Sequence, residues 1–562
     1  MIMLRKSWMV GAAALFCTIL WFALLAHRPL FDPDEGRYAE IPSEMLSGGD
    51  WVIPHLNGLV YLEKPPLQYW LTALAFRCFG EHEFAARLCT GLAGYLSLLI
   101  VFFLGRSLWG LEAGVRALLF TAASILFVLL GHQLTLDMTL SACLLAALSC
   151  FLMAQVRGEA WRAWMLGCWA AMALAVLTKG LIGVLIPAAA LGAYILWQRD
   201  WNLLRSLNLR WGLPLFAAIA APWFVLAARA NPQFLKFFFI REHFQRFLTP
   251  IEHRTEPWWF FAPVLVVGIM PWLPQAARAL VGGVARDVPR GQFDAARMLW
   301  IWSVFVVVFF SFSDSKLIPY ILPAVPVLAL LCARPKSGDG RGSVLAGALL
   351  SLATAMGLLA YASGAWSSGE AGRLLLLIRP MLFCTCALLA LGAVISAVCA
   401  LRGLPLAALA ATSGAWFLAS GTILVAADRA QALFSAKDLA QLLLQEAATA
   451  DGASAQAQTP TATPEGLPAG VAVFAVQSYQ QSLPFYLRQP VILVDYRDEF
   501  DLGLTQEPRR GIATLPEFAR EWLGLRSGFA VMPPSTRDRL AALGAPMRVA
   551  ARLPDRLLIS RR

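Results

Sequence analysis

Apolar windows of about twenty residues, broken by short polar stretches, recur from Trp8 to Ala427. Each is long enough to cross a bilayer core of ~30 Å as a helix. The windows fall near 8–26, 83–104, 112–131, 139–156, 161–178, 181–197 and 211–228, then 259–277, 298–312, 319–333, 343–362, 376–400 and 404–427. This pattern predicts a polytopic α-helical membrane protein with about 13 transmembrane helices. Residues 8–26 read as a retained first span, because no small-residue cleavage site follows them.

Two polar interruptions are long, 27–66 and 229–258. The first carries a helical pattern over Pro33–Leu46, and a second such pattern follows over Pro65–Phe79. In the latter, Trp70, Leu71, Leu74 and Ala75 fit a helix lying in the membrane interface. After Asp428 the character changes. Residues 447–470, rich in Ala, Thr, Pro and Gln, read as a linker. Beyond them Val471–Val476, Val491–Val494 and Gly528–Met532 read as buried strands. They alternate with helical stretches near 478–487, 515–524 and 535–543, the pattern of a small α/β domain with a partly parallel sheet. The expected organisation is a transmembrane domain over 1–427, with outer loops 27–66 and 229–258, and a soluble domain over 428–562.

Composition agrees: of 562 residues 59% are hydrophobic and 14% charged, against roughly half and a quarter in soluble domains. The net charge of +11 follows topology rather than nucleic acid. Basic residues concentrate in alternate loops, at Arg5/Lys6, Arg106, Arg157/Arg162, Arg199/Arg205/Arg210, Arg278/Arg286/Arg290, Arg334/Lys336/Arg341 and Arg402. That alternation predicts a cytoplasmic N-terminus and, with an odd number of spans, an exported tail. All ten cysteines lie in or beside spans, without a CxxC pair, and read as apolar thiols.

The polar residues that stand out lie on the outer side. Asp32-Pro33-Asp34-Glu35-Gly36-Arg37-Tyr38 follows the first span. Asp32 fits a helix N-cap with Pro33 at the first helical position, but capping accounts for one carboxylate and not three. Asp34 is therefore the leading catalytic candidate, with Arg37 to orient it or to bind an anion. In Tyr61-Leu62-Glu63-Lys64-Pro65-Pro66, Lys64 sits where a helix begins, a place that favours phosphate and equally suits a snorkelling lysine. Asp137 and Lys179 fall at outer ends of spans, either as interface anchors or as functional charges. Arg241, His243 and Arg246 stand among five phenylalanines in the second outer loop, an arrangement suited to a lipid phosphate. Lys316 and Tyr320 lie at an outer face and read either way. A divalent ion between Glu63 and His243 has no two-histidine or cysteine motif to support it, so no cofactor and no metal ligand set is assigned. No P-loop, dinucleotide fingerprint or nucleophile elbow occurs in a fitting context.

Asp32-Pro-Asp-Glu-Gly-Arg-Tyr-Ala-Glu, Tyr61-Leu-Glu-Lys-Pro-Pro-Leu, Leu177-Thr-Lys-Gly and Ser315-Lys-Leu-Ile-Pro-Tyr-Ile-Leu-Pro, with Ser482-Leu-Pro-Phe-Tyr-Leu and Asp495-Tyr-Arg-Asp-Glu in the tail, resemble polyprenyl-phosphate-sugar glycosyltransferases of the GT-C fold. Among these the resemblance is to the bacterial 4-amino-4-deoxy-L-arabinose transferases that modify lipid A. It implies a GT-C domain with a periplasmic α/β domain, in the bacterial inner membrane. It implies an undecaprenyl-phosphate-linked sugar donor, a lipid A acceptor, and contact with membrane lipids but not with nucleic acid. Asp34 would be the main catalytic carboxylate and Asp137 a second functional acid. Lys64 and Arg246 would hold the carrier phosphate, and Arg37, Tyr38, Tyr61, Lys179 and Tyr320 would line the site. Glu63 is a further acid suited to a protonated aminosugar.

Two rival classes remain. A sibling transferase acting on a protein or glycan shares the acid pair. A lipid-linked-sugar flippase is disfavoured, because transporters gather polar groups at the bilayer midplane and here they lie at one face.

Overall fold

The computed structural model describes residues 2–156, 158, 160–245, 255–284, 292–335, 341–364, 370–450, 467 and 471–561. Every apolar window read from the sequence is helical. Among the described residues, seven unbroken helices are long and apolar enough to cross a membrane: Glu83–Trp109, Leu136–Val156, Trp161–Lys179, Leu209–Ala230, Arg341–Ala362, Leu374–Leu401 and Pro405–Arg429. Gly11–Ala23, Ile182–Gln198, Ala295–Ser311 and Ile318–Ala333 are shorter apolar helices.

The windows at 112–131 and 259–277 are bent pairs, Leu111–Ala122 with Ile125–Gly131 at 71° and Phe261–Gly268 with Met270–Gly283 at 83°. The second bend follows from Pro271, which has no N–H to continue the helix ladder. At the first, Ser124 donates back to the Phe120 carbonyl and accepts the Trp272 indole N–H at 3.1 Å. One bend is thus fastened to the other by a buried hydrogen bond.

Contacts divide the chain into two compact units. One comprises 1–27, 63–68 and 87–429; the other comprises 28–62, 69–86 and 430–562. The first is the bundle of apolar helices. Its core holds fully buried Trp21, Phe127, Tyr194, Trp272 and Trp302. All ten cysteines are unpaired; Cys384 is exposed and Cys386 buried, as two residues of offset on a helix require.

The second unit holds a six-stranded mixed sheet in the order Gly511–Ile512, Ile492–Val494, Ala472–Val476, Gly528–Met532, Leu557–Arg561, Arg548–Arg552. The first four strands are mutually parallel, and Leu557–Arg561 runs antiparallel to both of its neighbours, Gly528–Met532 and Arg548–Arg552. The central strands are apolar throughout because both faces are covered. Helix Leu515–Gly524 lays Phe518 and Trp522 on Phe474. The C-terminal hairpin is not evident in the sequence, because Arg548–Arg552 is polar at both ends and only partly buried between them.

Helix Asp34–Gly48 belongs to this unit. Gly49, at a left-handed φ of 72°, closes its C-terminus by donating to the Met45 carbonyl. Its N-terminus corrects the capping expectation. The helix begins at Asp34, Pro33 occupies the cap position, and no side chain caps it. Asp32 Oδ1 instead accepts the backbone N–H of Ser482 at 2.6 Å.

This contact explains Gly36. A Cβ there would lie 2.3 Å from the Ser482 nitrogen and 2.6 Å from the Gln481 carbonyl carbon. Gly36→Ala should therefore lower stability by roughly 1–3 kcal/mol, although alanine favours an open helix by about 1 kcal/mol. Thermal unfolding of the purified chain tests this; an unchanged or raised midpoint contradicts the packing.

Candidate active site

In the tail-containing unit, the three carboxylates of the acidic motif have separate partners. Asp32 is held by Ser482, and burial pushes its carboxyl up to about 7 against the lowering effect of that bond and of Arg556 and Arg37. Glu35, fully buried, takes Arg28 in a two-pronged ion pair and also accepts the Phe31 N–H at 3.0 Å. Asp34 alone keeps an open side chain, 38% exposed, with Arg37 Nη1 3.7 Å away. Two acids of the motif are held within the fold, and Asp34 stays open.

Arg37 is buried and bridges Asp34 to the tail, with Nη2 3.3 Å from Glu499 Oε2. Burial opposes its charge, and Tyr61, Glu499, Tyr38 and Asp34 together outweigh that and raise its pKa. Gln481 donates to the other Glu499 oxygen at 3.1 Å. Tyr61 and Tyr38 are both buried, and the Tyr38 ring lies 6.1 Å from Tyr69. Glu499 lay inside a motif quoted from the tail but was not singled out. Its signal was a carboxylate in an otherwise unremarked turn, and only the fold pairs it with Arg37.

In the helical unit, Lys64 lies on a loop three residues before helix Leu67–Phe79, not at the start of the helix as its sequence position predicted. Its Nζ sits 2.9 Å from Glu242 Oε2 and 3.6 Å from Glu63 Oε2, and donates to the Glu63 carbonyl at 3.1 Å. Glu242 was also missed. It is the acid beside His243 in a basic, aromatic segment, and its side chain is 4% exposed.

Asp137, in the first turn of Leu136–Val156, meets Lys179, the last residue of Trp161–Lys179, at 2.5 Å. The Lys179 ammonium also lies 4.8 Å from the Tyr320 ring centre. Gln68, fully buried, accepts the Thr139 hydroxyl at 2.6 Å. Gln68 follows Lys64 by four residues and Thr139 follows Asp137 by two, so this bond ties the two charged clusters together.

Lys316 is occupied by backbone, donating to Ser313 O at 2.5 Å and Glu256 O at 2.9 Å. Arg246 and the side chain of His243 lie outside the described residues. No group of three metal-ligating side chains converges among the described residues.

A partly buried lysine held by carboxylates can exchange them for the oxygens of a phosphate. An exposed carboxylate steadied by a buried arginine can orient an acceptor or balance positive charge on a sugar.

Residues 63–225 match the family described as dolichyl-phosphate-mannose-protein mannosyltransferase, and residues 460–561 match the aminoarabinose transferase C-terminal domain. An undecaprenyl phosphate-alpha-4-amino-4-deoxy-L-arabinose arabinosyl transferase of Edwardsiella ictaluri is 35% identical over 57% of this chain and 58% of its own length. One of Pseudomonas aeruginosa is 35% identical over 58% of this chain and 59% of its own. The chain thus aligns with less than two thirds of these curated relatives. The crystal structure of ArnT from Cupriavidus metallidurans bound to undecaprenyl phosphate matches 99% of this chain and 98% of that one, with a TM-score of 0.88 and 31% identity. Its apo state gives 0.86 and 32%. On its fold and sequence, the chain belongs to the aminoarabinose transferase family, on the GT-C fold.

Proposed function

We propose that the chain transfers 4-amino-4-deoxy-L-arabinose from undecaprenyl phosphate to a phosphate of lipid A, at the periplasmic face of the bacterial inner membrane. The alternation of basic loops supports a cytoplasmic N-terminus and a periplasmic tail. The names of the relatives and the ligand-bound neighbour support the donor. The observation that carries the reading is the sorting of the acidic motif: Asp32 and Glu35 are committed to structure, and Asp34 is left open beside Arg37.

In this reading an acceptor phosphate oxygen attacks the anomeric carbon. The bond from that carbon to the donor phosphate breaks, and its electron pair leaves with undecaprenyl phosphate. The leaving group is already a stable anion, so the step needs charge stabilisation more than an acid. Lys64 supplies it once the phosphate replaces Glu242, with Arg246 as a second cation. The acceptor is anionic and needs positioning more than deprotonation. Asp34 orients it or balances charge on the sugar, and Arg37, Tyr38 and Tyr61 shape that acid's surroundings. Asp137, paired with Lys179 beside the Tyr320 ring, and Glu63 recognise the sugar ammonium.

In a host lacking its own transferase, the wild-type chain should add one aminopentose to lipid A by mass spectrometry. Asp34→Asn should reduce that product by about 100-fold or more. Unchanged lipid A with well-folded wild type rejects this acceptor and favours a protein or glycan. Gln68→Ala and Thr139→Val should each lower kcat/KM by about tenfold, the loss of one buried hydrogen bond. The double variant should lose little more than either single one, and Thr139→Ser should restore activity. Additive losses contradict the tether.

A further inference from the structure

Two basic loops far apart in sequence meet around one pocket of about 510 Å³ in the helical unit. Trp161 and Arg162 open helix Trp161–Lys179 on one side. Arg205, in the 3-10 turn Trp201–Leu207, and Arg210 and Trp211, in the first turn of Leu209–Ala230, close the other. The sequence explained these arginines as topology alone, and the mechanism uses none of them.

Several independent features point to an anion. Among the described residues, none of the three arginines has a carboxylate partner. The two helices leave their first N–H groups directed toward this end, where the helix dipole is positive. Neither is closed by a side chain, for Ala160 and Asn208 make no capping bond. The Asn208 amide nitrogen is buried without a hydrogen-bond partner, a donor with no acceptor supplied by the fold. Arg162 and Arg210 lie over the indoles of Trp161 and Trp211 at 5.5 and 5.7 Å, which holds the guanidinium planes in place.

Other features point to a lipid. Helix Trp161–Lys179 has 19 residues and so spans about 28 Å, close to the thickness of a bilayer core. The pocket is at its first turn and Lys179 at its last, so they face opposite membrane surfaces. Trp211 is 60% exposed and Leu209 45%. A tryptophan at headgroup depth beside an open leucine suits a molecule with an acyl portion.

We propose that this pocket binds the phosphate of an anionic phospholipid in the leaflet opposite the Asp137–Lys179 face. The guanidiniums grip the phosphate oxygens through paired N–H bonds, the Asn208 amide adds a donor, and the indoles flank the glycerol and upper chains. The site does not depend on the proposed transfer reaction.

Native mass spectrometry of the full chain in detergent tests it, with phosphatidylglycerol and phosphatidylcholine of the same acyl chains as probes. Wild type should retain one phosphatidylglycerol at concentrations where phosphatidylcholine is lost. Arg162→Gln/Arg205→Gln/Arg210→Gln should weaken that binding at least tenfold. Arg106→Gln/Arg278→Gln/Arg402→Gln, which removes equal charge outside the pocket, should keep it within twofold. Equal losses in the two triple variants would indicate general attraction to a basic face and overturn the site, as would full retention by the first. Displacement of phosphatidylglycerol by millimolar inorganic phosphate would make it a small-anion site instead. A headgroup-photoreactive phosphatidylglycerol on wild type needs no variant to fold. It should label residues 161–162 and 204–211, and labelling elsewhere alone overturns the proposal.

Discussion

A charge withdrawn from water has to find an opposite charge, and that requirement organises this molecule more than any other. Removing one partner of a buried pair costs about 3–5 kcal/mol, because the remaining charge is left uncompensated. Arg28 with Glu35 is such a pair, and Arg37 with Glu499, Lys64 with Glu242, and Lys179 with Asp137 are ion pairs whose side chains are no more than 18% exposed. They differ in what they leave open. Arg28 and Glu35 saturate one another, and Glu35 also takes a backbone N–H, so this pair is a fixture of the fold. Lys64 is held by two carboxylates, those of Glu242 and Glu63, and remains 12% exposed.

The same requirement gives the tail a physical role. Glu499 and the Ser482 N–H hold two residues of the acidic motif, and Gly36 leaves room for the backbone of Gln481 and Ser482. The tail therefore sets the surroundings of Asp34 through Arg37 and Gly36.

Much of the fold was legible because its signals are local. Apolar windows of bilayer length located the apolar helices of the bundle, and buried runs such as Ala472–Val476 and Gly528–Met532 located the central strands. The two sharp bends were not read: Pro271 breaks one helix ladder by its missing N–H, and Ser124 marks the other only through its bond with distant Trp272. The motif residues Asp34, Asp137, Lys64 and Lys179 stood out as charges beside apolar windows. Their partners were harder to find. Glu242, Gln68 and Glu499 are ordinary polar residues until folding brings them within 3.3 Å of a group far away in sequence. Asp32 was misread for the same reason: a local capping rule lost to a hydrogen bond from a residue 450 positions away.

In the proposed reaction Lys64 exchanges the carboxylate of Glu242 for the phosphate of the donor's carrier. The direct measurement is the affinity of the purified chain for undecaprenyl phosphate, in wild type and in Glu242→Gln. The account predicts tighter binding by the variant, because its lysine is released from a competing anion, and no such gain when Lys64→Gln is also present. Equal or weaker binding by Glu242→Gln would contradict it.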